Sequence, residues 1–263
     1  LKSNRNKRYK YQEFLVEGVR NINEAIKKGW NIKSFLYADE NDLSDWAKGI
    51  LCNTSTEINF ILSDLLMKEL SGKEDTSEIM AIIGMQSDDL NALVLSNNPM
   101  IALFDRPSNK GNLGTIIRSC DALGVECLII TGHAVDLYDT DVVISSMGSF
   151  FNIQIVRVPE TQKVLDFIAG MKRRYPTFKT IGTTAHKEHP IYDLDLSGPV
   201  LFMIGNETDG LCNTFKDCCD ILTTIPMAES SYATSFNVGC AATVMFYEAV
   251  RQRADSNAIT GGK

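Results

Sequence analysis

The sequence predicts an α/β protein built on a mainly parallel sheet, with a smaller α/β unit at its N-terminal end. Three observations carry this reading. From residue 100 onward, short apolar runs alternate with segments of helical spacing. Those runs are apolar throughout, the pattern of strands covered on both faces. Each loop of unusual composition (105–112, 131–140, 183–190, 205–210 and 226–235) follows a predicted strand. Parallel sheets bind their ligands at such carboxyl ends.

"EFLVEGVRNINEAIKKGWNIKSFLYADE" reads as strand, helix, strand, with Val19, Ile22, Ala25 and Ile26 at helical spacing and Gly29 as the stop. "NFILS" (59–63) and "IMAIIGM" (79–85) are short β-rich runs, separated by a helix, "SDLLMKELSG", that opens on a Ser cap. This unit closes near "SDDLNALVLSNNP" (87–99), giving domains 1–95 and 96–263. In the second, "MIALF" is a strand, 112–123 a helix, "ECLIITG" a strand, "DTDVVISSMG" a short helix and "IQIVRV" a strand. "TQKVLDFIAGMKRRY" is an amphipathic helix, then "FKTIGTTA" and "VLFMIG" are strands. "DGLCNTFKD" is a short helix, "ILTTIPM" a strand and 235–253 a long final helix.

With 263 residues and 44% apolar composition, the chain can bury a sizeable core in one or two domains. No apolar run approaches the roughly 20 residues of a membrane helix. The start, "LKSNRNKRYKYQEF", lacks the apolar stretch of a secretory signal, and with no initial Met the chain reads as trimmed. Seven cysteines without zinc-type spacing read as reduced thiols of a cytoplasmic protein. "HKEH" (186–189) reads as a solvated loop, so no metal site is expected. Net charge is −7, but residues 1–33 carry nine Lys or Arg against three Glu, leaving that segment at +6 and the remainder at −13. This asymmetry fits an end that touches phosphate, and equally a solvated tail.

Three stretches hold the chemistry. "GNLGTIIRSCDALG" (111–124) lacks both GxGxxG and the P-loop pattern. Asn112 fits a helix cap there, and Arg118 shares a face with Thr115 and Ser119, opposite Ile116, Ile117, Cys120 and Leu123. Arg118 is then a permanent cation at the loop edge of the sheet; pairing with a surface carboxylate would explain it as well. "FMIGNETDGL" (202–211) is a strand entering a Gly-flanked turn with Glu207 and Asp209. In residues 225–249, Ser235 and Asn237 stand at the mouth of the last helix, beside small residues Gly239, Ala241 and Ala242. Ser235 reads as its cap.

The order and spacing of these stretches resemble the SpoU (TrmH) family of RNA ribose 2′-O-methyltransferases, in the SPOUT superfamily. "DRPSNKGNLGTIIRSCDALG", "LFMIGNETDGL" and "IPMAESSYATSFNVGCAATVMFYEA" look like its three motifs, and the likeness covers residues 100–250. "FLVEGVRNINEAIKKG" is similar to the start of the L30e-like RNA-binding domain of many members. The resemblance implies an α/β-knot domain with a deep trefoil knot, a homodimer, and S-adenosylmethionine as cofactor. It places the cofactor near Thr183, Gly205, Ile225, Met227 and Phe236, and the catalytic role on Arg118, Asn112, Glu207, Ser235 and Asn237. Arg118 would grip the phosphate beside the target ribose and stabilise charge on the 2′-oxygen.

The resemblance favours ribosomal RNA over transfer RNA as substrate, because the N-terminal unit is a full one. RNA capture would fall to that unit and its basic arm, helped by Lys172, Arg173 and Arg174. A transfer-RNA methyltransferase and a non-catalytic RNA-binding protein on the same scaffold are the alternative readings. The family usually has Leu at the place of Phe236, Ser at Gly239 and Gly at Thr208, and its loop before Ser235 is shorter than "AESSYAT".

Overall fold

The computed structural model describes residues 1–38, 43–71, 75–184 and 189–260, which fall into two compact units. The first comprises residues 1–86 and 136–152, the second residues 87–135 and 153–263. Of "HKEH", residues 186–188 lie outside the described residues.

The first unit opens with α1 (Arg5–Tyr11), capped by Asn4, and continues with β1 (Glu13–Glu17), α2 (Val19–Lys27) and β2 (Ile32–Tyr37). Then come α3 (Asp45–Asn53), β3 (Phe60–Ile61), α4 (Asp64–Leu70) and β4 (Ile79–Gly84). The sheet order is β1-β4-β2-β3, with β4 antiparallel to both neighbours and β3 parallel to β2. α2 ends where expected: Gly29 takes φ +70°, and the Trp30 amide reaches back to the Ala25 carbonyl at 3.0 Å.

Two features of this unit were not legible locally. α1 and α3 are helices the apolar pattern did not announce. Arg8 of the basic arm is also buried, donating from Nε to Asp136 at 2.7 Å, while Tyr9 donates to the same carboxylate. Segment 136–152 therefore belongs to this unit by charge pairing. It belongs by packing as well, since Tyr138, Phe150 and Phe151 cluster around Phe14 and Trp30.

The second unit begins with β5 (Met100–Asp105), α5 (Lys110–Ala122) and β6 (Cys127–Thr131). The chain then supplies α6 (Thr140–Ser145) to the first unit. The second resumes with β7 (Gln154–Val158), α7 (Thr161–Arg174), β8 (Lys179–Thr183), β9 (His189–Pro190) and β10 (Val200–Ile204). It closes with α8 (Asn213–Cys218), β11 (Ile221–Thr224) and α9 (Val238–Thr260). The seven strands run β7-β6-β5-β10-β8-β11-β9, every pair parallel.

β5, β6 and β10 are buried along their whole length, which is why their sequences do not alternate. From β5 the chain goes on to β6; from β10 it goes on to β11, on the other side. The carboxyl ends of β5 and β10 thus flank a crevice where the chain's direction of travel reverses.

Candidate active site

The loop leaving β5 is set by Asp105 and Arg106. Asp105 is buried and accepts from the Thr131 hydroxyl at 2.9 Å, the Cys212 amide at 3.0 Å and the Arg106 guanidinium. Arg106, at φ +52°, also donates to the Gly210 carbonyl at 3.0 Å. The Asp105 carboxylate beside it raises the Arg106 pKa further. In return, the Asn206 side chain donates to the Arg106 carbonyl at 2.6 Å. The loops after β5 and β10 are thereby tied together.

The turn after β10 closes through paired backbone bonds between Asn206 and Gly210, at 3.1 and 3.0 Å. It packs directly back onto Gly205, where an added Cβ would stand 2.2 Å from the Leu211 nitrogen. No other residue fits. The Gly205 amide meets the Thr183 hydroxyl at 3.3 Å, joining the end of β8 to the same edge.

Glu207 turns toward the start of α5. Its carboxylate accepts from the Ser108 amide and hydroxyl at 3.0 and 2.7 Å, the Asn109 amide at 3.2 Å and the Asn112 side chain at 3.2 Å. Partial burial pushes its pKa up, but the Ser108 and Asn112 donors and its own backbone outweigh this and hold it below the ordinary value. The helix start adds a favourable field for a negative charge. A carboxylate so occupied is a brace and a poor proton acceptor.

Asn112 extends the brace to the third loop. Its Oδ1 accepts from Asn237 Nδ2 at 3.0 Å, and Asn237 Oδ1 accepts from the Gly239 amide at 2.9 Å. The chemistry fixes both amide orientations: Glu207 can only accept, and the Gly239 N–H can only donate.

Two caps differ from the sequence reading. Asn109, not Asn112, caps α5 by accepting from the Asn112 amide, and Asn237, not Ser235, caps α9. One face differs as well. Ser119 is buried against Thr243 of α9, their hydroxyls 2.6 Å apart, while Thr115 and Arg118 stay exposed. Thr115 lies over Gly239, where a Cβ would come within 2.9 Å of its methyl. The small residues at the start of α9 therefore admit α5.

These loops enclose a cleft of about 590 Å³. It is lined by Asn112, Thr183, Gly205, Glu207, Ile225, Met227, Ser235, Phe236 and Asn237, with Leu211, Val238 and Met245 adding apolar wall. Arg118 is not among the lining residues. It is exposed and has no hydrogen-bond or ion-pair partner among the described residues. Asp105, Arg106, Ser108 and Asn109 are the structural residues that motif reading passed over, and the run "DRPSN" was their signal. No group of three or more His, Cys, Asp or Glu suited to a metal occurs among the described residues.

The family model of the SpoU rRNA methylase family matches residues 99–247, which carry all three loops of the cleft. The chain belongs to the SpoU rRNA methylase family. A second match, to the SpoU L30e-like domain, spans residues 1–81 of this SpoU protein. The chain is 42% identical over 260 residues to a 23S rRNA (uridine(2479)-2′-O)-methyltransferase of Streptomyces viridochromogenes, covering 99% of this chain and 90% of the relative. It is 27% identical to a 23S rRNA (guanosine(2553)-2′-O)-methyltransferase of Bacillus subtilis, covering 91% of this chain and 89% of the relative. Its fold matches the crystal structure of the SpoU methyltransferase AviRb from Streptomyces viridochromogenes in complex with AdoMet. The TM-score is 0.90, at 41% identity over 96% of this chain and 95% of that one.

Proposed function

We propose that this SpoU protein methylates a ribose 2′-hydroxyl of ribosomal RNA, using S-adenosylmethionine. One observation carries the reading: three loops far apart in sequence bring Asn112, Glu207, Ser235 and Asn237 together with Thr183, Gly205, Ile225, Met227 and Phe236 around one cleft. Its size and mixed lining suit a ligand with an apolar adenine and charged ends. Backbone near Gly205, Ile225 and Met227, with Thr183 and Phe236, would hold the cofactor, which supplies an electrophilic methyl on a sulfonium.

The protein must then align the hydroxyl and ease its deprotonation. Ser235, which has no partner among the described residues, is left to bind the substrate oxygen. Glu207, Asn112 and Asn237 keep the loops in place. Arg118 cannot take a proton, but it binds the neighbouring phosphate and stabilises negative charge growing on the 2′-oxygen. The hydroxyl proton departs to solvent as the carbon–sulfur bond gives way to the carbon–oxygen bond.

Arg118 does not line its own chain's cleft, and α9 exposes Cys240, Val244 and Tyr247 along one stripe beside α5. Both facts support a homodimer in which Arg118 serves the partner's cleft. The order β5-β10-β8-β11 supports the trefoil knot of the family. We assign RNA capture to residues 1–95, led by exposed Arg5, Lys7 and Lys10 on α1, and methyl transfer to residues 96–263. Seven free cysteines suit the reducing cytoplasm, and among the described residues no helix is long and apolar enough to cross a membrane.

The experiment is to incubate the protein with labelled S-adenosylmethionine and either ribosomal or transfer RNA, then map alkali-resistant linkages. Label at one ribosomal nucleotide is expected. Label on transfer RNA alone overturns the substrate, and no binding of the cofactor by calorimetry overturns the whole reading.

A further inference from the structure

Tyr232 lies in the loop between β11 and α9, two residues before Thr234, Ser235 and Phe236, which line the cleft. The residue is completely exposed, at 104% of the reference area, and no hydrogen bond or ring contact engages it among the described residues. Residues 228–237 are all exposed, and the loop's internal bonds are few: the Ser231 amide to the Ala228 carbonyl at 2.9 Å and the Ala233 amide to the Ser231 hydroxyl at 3.1 Å. The fold therefore gains nothing from an aromatic ring here. Most large rings bury much of their surface, because that burial is their main contribution to stability.

An extended chain advances about 3.3 Å per residue, so the backbone of Tyr232 lies no more than about 10 Å from that of Ser235, in the segment that leads into the wall of the cleft. A nucleotide whose ribose enters the cleft must leave its base outside, cut off from its stacking neighbours. An unstacked base seeks an aromatic face.

Resting on the reading of the cleft as an RNA methylation site, we infer that Tyr232 is a positioning residue that stacks on an unpaired base of the substrate, at or next to the methylated nucleotide. Phe236, half-exposed on the wall, marks the cofactor side of the same loop. Tyr232 stands in the exposed segment "AESSYAT" that leads into this wall.

The test is steady-state methylation of a ribosomal RNA fragment by wild type, Tyr232→Ala, Tyr232→Leu, Tyr232→Phe and Tyr232→Trp, with S-adenosylmethionine affinity and sedimentation measured for each. Stacking predicts that Ala and Leu raise KM for RNA about 5- to 100-fold with kcat little changed, while Phe and Trp restore it. Cofactor affinity and oligomeric mass stay at wild-type values. An unchanged KM in Tyr232→Ala, rescue by Leu as full as by Phe, or a lowered mass that makes Tyr232 an interface residue would each overturn the inference. A wild type that methylates no RNA would instead sink the reading beneath it.

Discussion

Asn112 stands between Glu207 and Asn237, donating to the carboxylate at 3.2 Å and accepting from the second amide at 3.0 Å. This single side chain links the three loops of the cleft. Asn112→Ala removes two hydrogen bonds, a loss of about 1–3 kcal/mol. Asn112→Asp should cost more, because it sets a second carboxylate against Glu207 where a donor stood. Thermal unfolding of the two variants at pH 7 checks the order.

Glu207 makes that brace sensitive to pH. Its folded pKa lies below the unfolded value, so its stabilisation is complete above about pH 4.3 and is lost as pH falls through the folded value. Glu207→Gln should therefore be less stable than wild type at pH 7, with the gap closing as the medium is acidified below about pH 4. Denaturant melts across pH 3–7 measure the gap; a constant difference would contradict the assignment.

Gly205 has backbone, not a flexible side chain, 2.2 Å from the place of a Cβ. Gly205→Ala has to open the Asn206–Gly210 turn and release Glu207 with it. We expect at least a tenfold loss of S-adenosylmethionine affinity by calorimetry, alongside retained far-ultraviolet dichroism.

Arg118 is exposed and unpaired among the described residues, so Arg118→Ala should leave the melting temperature unchanged. Catalysis should fall by about 100-fold or more through loss of charge stabilisation. If the proposed homodimer forms, mixing Arg118→Ala with a cofactor-defective Gly205→Ala chain should restore about a quarter of wild-type activity, because half the dimers would then hold one intact composite site. No recovery in subunits that demonstrably exchange would place Arg118 in the cleft of its own chain.

On α1, Arg5, Lys7 and Lys10 are exposed, whereas Arg8 is held by Asp136. Replacing the three exposed cations with Gln should weaken RNA binding and flatten the log–log salt dependence by about two units. Arg8→Gln acts differently. It strands the buried Asp136, so unfolding measurements should show a loss of about 3 kcal/mol or more.

Much of this protein was written locally in its sequence. Unbroken apolar runs located β5, β6 and β10, Gly29 marked the end of α2, and three motifs supplied Asn112, Glu207, Ser235 and Asn237 to the lining of the cleft. Such features depend on neighbours a few residues away, and periodicity reports them faithfully. The α1 and α3 helices escaped because each is short and lacks a strong apolar stripe, so tertiary contacts decide them.

What residue patterns alone determined is the α/β class and the central strands of the sheet, since each follows from local geometry and the face a residue must bury. Only tertiary structure decided that Arg8 would be buried rather than offered to phosphate, that Glu207 would brace Ser108 and Asn112, and that Arg118 would stand outside its own cleft. The first two outcomes hang on partners about a hundred residues away, and a charge or an amide bears no mark of which distant loop will meet it.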